Sequence, residues 1–211
     1  MIKLENISKA YKDITLFNGV NAEFESGSRI AIKGVNGSGK SVLLKMVCGY
    51  AKPDSGRILI DGQELGKGQD FIRNAGISIN SPEFIDSMSG MDNFLYLIDI
   101  QKKATKEDVL ALAERLRLDG LNKKYKTYSL GMRQKMRLIQ ALVEKPDYMI
   151  LDEPFDALDD TSRETAKQVL EEYSENKTLI FTSHNQEDID ALATVIYQID
   201  DHQLIRQEIK R

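Results

Sequence analysis

The chain has 211 residues, 41% of them hydrophobic and 29% charged, and its 29 basic and 33 acidic residues leave a net charge of −4. This describes a folded globular chain, long enough for one domain with an inserted lobe, and its acidic balance gives no bulk attraction to nucleic acid. No apolar run reaches the roughly 20 residues that span a bilayer, the charged and alternating start MIKLENISKAY does not read as a signal peptide, and a single cysteine, Cys48, excludes both a disulfide framework and a cysteine zinc site, so a cytoplasmic protein is expected.

The first 33 residues alternate in strand fashion, in IKLENI, GVNAEF and SRIAIKG, with polar or glycine-bearing turns between them. GVNGSGKS, residues 34–41, follows the third strand and precedes a helical pattern that runs from Ser41 to about Tyr50. It matches the phosphate-binding pattern G-x-x-x-x-G-K-[ST] in the context that pattern requires. Gly34, Gly37 and Gly39 let the backbone curl so that the N–H groups around Asn36, Ser38 and Val42 point inward, and the helix N-terminus adds a favourable dipole. Lys40 brings a mobile positive charge to the β and γ phosphates, and the Ser41 hydroxyl can ligate Mg²⁺. Within that helix, Cys48 lies in LLKMVCGY and is expected to be a small core residue.

AKPDSGRILIDGQEL reads as turn, strand and turn, and residues from about Met91 to Leu142 read mostly as helices. YSLGMRQKMRLIQAL, residues 128–142, begins with Ser129 as a helix cap but carries a glycine, Gly131, in the first turn. YMILDEP and KTLIFTSH are short β-rich runs, consistent with buried parallel strands joined by a helix. The first delivers two carboxylates to a strand end: Asp152 is placed to hold Mg²⁺ and Glu153 to orient or deprotonate an attacking water. The order predicts an α/β fold: a P-loop core with a mixed or parallel sheet, an N-terminal antiparallel β part and an inserted helical part. One domain spans residues 1–211, with the core at 1–80 and 143–211 and the helical part at about 81–142. The basic end, with Arg206, Lys210 and Arg211, is expected to be solvated.

Taken in order, these motifs resemble the ATP-binding subunit of ABC transporters over essentially the whole chain. The resemblance implies that Tyr11 stacks on adenine, that Asp159 of DALD lies in the loop after the carboxylates, and that His184 of TSH senses the γ-phosphate. YSLGM aligns with the family's L-S-G-G-Q signature. Ser129 and Gly131 are retained, while Leu130 and Met132 replace a glycine and the glutamine, so a slower half-site is expected. The signature would face the γ-phosphate held by Lys40 of a second subunit, with two ATP molecules sandwiched in a head-to-tail homodimer or heterodimer. Asn80 aligns with the glutamine that contacts Mg²⁺ or the attacking water in the family, although a turn asparagine before Ser81-Pro82 fits the same position.

The resemblance further implies an ATPase acting with a separate membrane permease, which would dock at the cleft near Asn80 and the segment from about Glu83 to Ile100. It would hold the protein at the inner face of the cell membrane. SINSPEF and YSLGMRQK are most similar to bacterial exporter ATPases, including those of antimicrobial-peptide resistance. A non-transport ATPase of cluster assembly or translation, or a regulatory subunit that binds ATP, is the alternative.

Overall fold

The computed structural model describes residues 1–80 and 84–207. Ser81, Pro82 and Glu83, where the expected docking segment begins, and Lys210 and Arg211 of the basic end lie outside them. The chain runs through β1 (Ile2–Tyr11), β2 (Ile14–Phe24), β3 (Arg29–Lys33), α1 (Lys40–Cys48), β4 (Ser55–Ile60), β5 (Gln63–Glu64), β6 (Ala75–Ser78), α2 (Gly90–Gln101), α3 (Lys106–Arg115), α4 (Leu130–Leu142), β7 (Tyr148–Leu151), α5 (Asp160–Tyr173), β8 (Thr178–Thr182), α6 (Gln186–Leu192), β9 (Val195–Asp200) and β10 (Gln203–Gln207).

Two sheets form. An antiparallel one has the order β2-β1-β4-β5, and a six-stranded one has the order β10-β9-β3-β8-β7-β6, parallel except where β10 pairs with β9. This is the expected α/β architecture, with an antiparallel part at the N-terminus and helices α2 to α4 inserted between β6 and β7. The first strand is longer than IKLENI because it bends at a bulge. Its register shifts between Leu4 and Ile7, Asn6 takes a left-handed φ of 52°, and the inward series Ile2, Leu4, Ile7 slips by one residue. β6, β9, β10 and α6 lie in stretches where the patterning had singled out no element.

The central strands are buried on both faces, which explains their continuous apolar runs. Their alternation divides the molecule into two cores. Ile30, Ile32, Ile150 and Ile180 join α1 and the antiparallel sheet, with Cys48 fully buried among them. Ala31, Met149, Leu151, Leu179 and Phe181 face the other way, onto the helices. Helix α1 stops at Gly49, whose φ of 87° lets its N–H close on the carbonyls of Lys45 and Met46. At its other end, the same helix meets the loop that follows β3, and there the candidate site lies.

Candidate active site

The loop from Gly34 to Gly39 connects β3 to α1. Gly37 and Gly39 have φ of 83° and 102°, a region costly to residues with a Cβ. Gly34 is needed for a different reason: a Cβ there would stand 2.6 Å from the Ser38 hydroxyl. That hydroxyl is buried and has no hydrogen-bond partner, so a polar atom aimed into the loop is left for a ligand. The Lys40 ammonium folds back over the loop and donates to the carbonyls of Gly34 (2.8 Å) and Val35 (3.4 Å). Lys40, Ser41 and Val42 line an open cleft of about 310 Å³ with Leu16, Asn36, Gly37, Gly39, Asp152 and Glu153.

The strand-end carboxylates close that cleft. The Ser41 hydroxyl donates to Asp152 Oδ2 at 2.6 Å, and the Thr182 hydroxyl donates to the other oxygen, Oδ1, at 2.7 Å. The next residue, Glu153, leaves the strand in a left-handed conformation, φ 47°. Its own N–H donates to Thr182 Oγ1 at 2.8 Å. One of its carboxylate oxygens, Oε2, accepts the His184 N–H at 3.2 Å and lies 3.1 Å from His184 Nδ1. Burial raises the Glu153 pKa above the ordinary carboxylate range and the nearby Asp156 charge adds to this, against the pull of His184 and Lys40.

The remaining predicted residues stand further off. Tyr11 is half-exposed at the β1–β2 hairpin, with Lys9 Nζ 5.1 Å from its ring centroid, and does not line the cleft; Leu16 of β2 does. Asn80 is exposed with φ 55°, two residues beyond Ser78, whose carbonyl accepts the Asp152 N–H at 2.7 Å. Asp159 caps α5, accepting the Ser162 N–H at 2.7 Å. Ser129 caps α4 by accepting the Met132 N–H at 3.2 Å. Neither it nor Gly131 lines the cleft that holds Lys40. Gly131 has a reason inside its own chain as well as the expected one toward a second subunit: a Cβ there would press within 3.0 Å of the Ala157 carbonyl.

Residues 17–156 match the family model described as ABC transporter. The chain belongs to the ABC transporter family. It is 33% identical over 210 residues to an uncharacterized ABC transporter ATP-binding protein, YybJ, of Bacillus subtilis, an alignment that covers 99% of this chain and 96% of the relative. It is 29% identical to the lantibiotic transport ATP-binding protein SrtF of Streptococcus pyogenes, covering 99% of this chain and 90% of the other. Among solved structures, it is similar in fold to a dimeric post-hydrolysis ATP-binding cassette bound to ADP and phosphate, at 24% identity and a TM-score of 0.87 over 100% of this chain and 99% of that one.

Two residues of this ABC transporter chain join the site without having been singled out in the sequence. Thr182 was visible only as the first letter of TSH, with nothing to mark it as lying beside Asp152. Gln134 of α4 is buried, and its side-chain amide donates to the carbonyls of Glu153 (3.3 Å) and Pro154 (2.8 Å). Helix α4 thus has one of its polar contacts on the turn that follows β7.

Proposed function

We propose that this chain is the ATP-hydrolysing nucleotide-binding subunit of an ABC transporter, and that two such subunits sandwich ATP head to tail. The observation that carries this is the 2.6 Å hydrogen bond from Ser41 to Asp152, which joins the phosphate loop to the strand-end carboxylates in one cleft. The donors fit a divalent cation, since a hydroxyl and a carboxylate converge at the start of α1 as the oxygen ligands Mg²⁺ takes. Ser41 and Asp152 would hold it, and Asn80 is the further ligand proposed. When bound, the cation neutralises charge on the β and γ phosphate oxygens.

The chain's own groups do the rest. Lys40 exchanges its loop carbonyls for phosphate oxygens, and the unpartnered Ser38 hydroxyl and the loop amides complete the cradle. Glu153 takes the proton of the attacking water, its raised pKa suiting a base. His184, two-thirds exposed and against Glu153, orients that carboxylate and meets the γ-phosphate. The half-exposed ring of Tyr11 stacks on adenine. The Ser129 hydroxyl and the Leu130 and Gly131 amides at the start of α4, where a helix leaves N–H groups without partners in its own turn, face the phosphate of the second subunit. Leu130, 72% exposed, also lines a small cavity with Asp152 and Glu153 of its own chain, where its bulk would slow the half-site.

Among the described residues no helix is long and apolar enough to cross a membrane. A separate permease would supply the membrane path and hold this subunit peripherally at the cytoplasmic face. Its docking place is a groove of about 470 Å³ between β6, α2 and α4, lined in part by Tyr50, Phe94, Leu97, Ile100 and Val143. Export is the direction proposed, on the likeness to the lantibiotic transport protein over 90% of its length.

Phosphate release and light scattering on Glu153→Gln test the reading. The variant should keep ATP affinity within about threefold, lose turnover by about 100-fold or more, and accumulate ATP-dependent dimers. Hydrolysis at the native rate would remove Glu153 as the base, and a native chain that binds no ATP would remove the site.

A further inference from the structure

We propose that Thr182 is a positioning residue that sets both catalytic carboxylates through one hydroxyl. This rests on the function proposed above for Asp152 and Glu153. Thr182 closes a strand whose five residues are all buried, and its own exposure is 0%, so its hydroxyl must find partners inside the protein. Its chemistry assigns their directions. An ionised carboxylate only accepts, so the single O–H proton goes to Asp152 Oδ1 at 2.7 Å, and a lone pair remains to accept the Glu153 N–H at 2.8 Å.

Two consequences follow from that one atom. Asp152 has its first oxygen engaged by Thr182 and so turns the second toward Ser41 and the phosphate loop. Glu153 has its N–H engaged by Thr182 and its carbonyl by Gln134, and this clamp holds it in the left-handed conformation that a residue with a Cβ otherwise avoids. Its side chain is thereby aimed at His184 instead of along the strand. Valine has the shape of threonine without the hydroxyl, and would leave the Glu153 N–H without that partner and the Asp152 carboxylate held at Oδ2 by Ser41 but no longer at Oδ1.

The test compares Thr182→Val, Thr182→Ser and Thr182→Ala in the full chain. In nucleotide-free, metal-free protein, amide exchange at Glu153, followed by NMR, should speed up by about tenfold or more in the valine and alanine variants and stay near native in the serine variant. With nucleotide, kcat should fall by about 100-fold in Thr182→Val and the apparent KM for Mg²⁺ should rise by about tenfold. Affinity for ATP measured without metal should stay within about threefold, and serine should restore turnover. Native exchange at Glu153 in both Thr182→Val and Thr182→Ala, or native kcat in whichever of them folds, would overturn the proposal, as would a serine variant no better than valine. The exchange measurement needs neither ATP nor metal, so failure of the ATPase reading and failure of the Thr182 clamp are told apart.

Discussion

Replacing Gly76 by alanine should destabilise the protein more than its single methyl suggests. Gly76 lies on β6 beneath the end of α4, and a Cβ there would stand 1.7 Å from the Ala141 carbonyl oxygen, 2.7 Å from its carbon and 3.0 Å from Pro146 Cγ. The φ of Gly76 is not in the left-handed region, so the penalty is one of space alone. Because the nearest obstacle is backbone, no side-chain change at position 141 relieves it. The carbonyl has to retreat by about 1.5 Å, and a gap of even 0.5–1 Å forfeits roughly a quarter to a half of each dispersion contact it opens. Met136, Ile139, Ala141 and Leu142 on that helix are each at most 1% exposed and would loosen together. Overpacking commonly costs about 1–3 kcal/mol, and a backbone obstacle places Gly76→Ala above that, at about 3–5 kcal/mol. Urea unfolding followed by far-UV circular dichroism measures it, as a lower midpoint with little change in slope. The same helix begins at Ser129 and Gly131, so ATP-dependent dimerisation should weaken as well. A variant within about 1 kcal/mol of the native chain would show that α4 is not seated on β6 as described.

Other consequences can be measured in the native chain or in conservative variants. Asp108 caps α3 with Thr105 and lies 3.0 Å from Lys145, and these hydrogen bonds, Thr105 first, lower its pKa to about 2. A lowered carboxylate pKa gives stability that is present above the unfolded value of 3.8 and is lost as pH falls toward about 2. Since Asp108 is partly exposed at the surface, Asp108→Asn should cost only about 1 kcal/mol at neutral pH, and the gap in urea midpoint should close between about pH 4 and 2; a gap unchanged at pH 3 would contradict this. Burial pushes the Cys48 thiol up to about 12, so a disulfide reagent at pH 8 should leave the folded protein unlabelled and react after unfolding in urea. Rapid labelling of the native chain would place Cys48 outside the core.

How much of this was legible in the sequence depends on how local each feature is. The phosphate loop is a local object: its glycines, lysine and serine act within eight consecutive residues, and Gly37, Gly39, Lys40 and Ser41 line the cleft, with Gly34 packed against Ser38. The buried strands YMIL and TLIFT were legible for the same reason, as short β-rich runs bounded by polar residues. β6 was not, because AGIS offers one large apolar residue, Ile77, and no alternation; Gly76 is there to let a helix approach, which is a fact about Ala141 rather than about its neighbours in sequence. Asn6 likewise breaks the pattern of β1 for a reason held in the pairing with β2. Gly131 was legible as an oddity, and its contact with Ala157 requires the fold.

The site itself depends on a reordering that no linear reading contains. In the chain, β3 is followed by β7 and then β8; in the sheet, β8 lies between the other two. Its register sets Thr182 opposite Ile32 on one side, while Phe181 pairs with Leu151 on the other. The last residue of β8 therefore stands between the strand that launches the phosphate loop and the strand that delivers Asp152 and Glu153, all at carboxyl ends, where ligands of open α/β sheets bind. A hydroxyl at that place can reach both the carboxylate and the following N–H, as Thr182 does. The next two residues turn away from the strand, and the His184 N–H meets Glu153 from the far side. Strand order alone thus brings the two short runs together. Groups 30 and 29 residues apart in the chain, Thr182 with Asp152 and with Glu153, become hydrogen-bonded neighbours, so substitutions at the end of β8 should alter the chemistry of residues they do not adjoin in sequence.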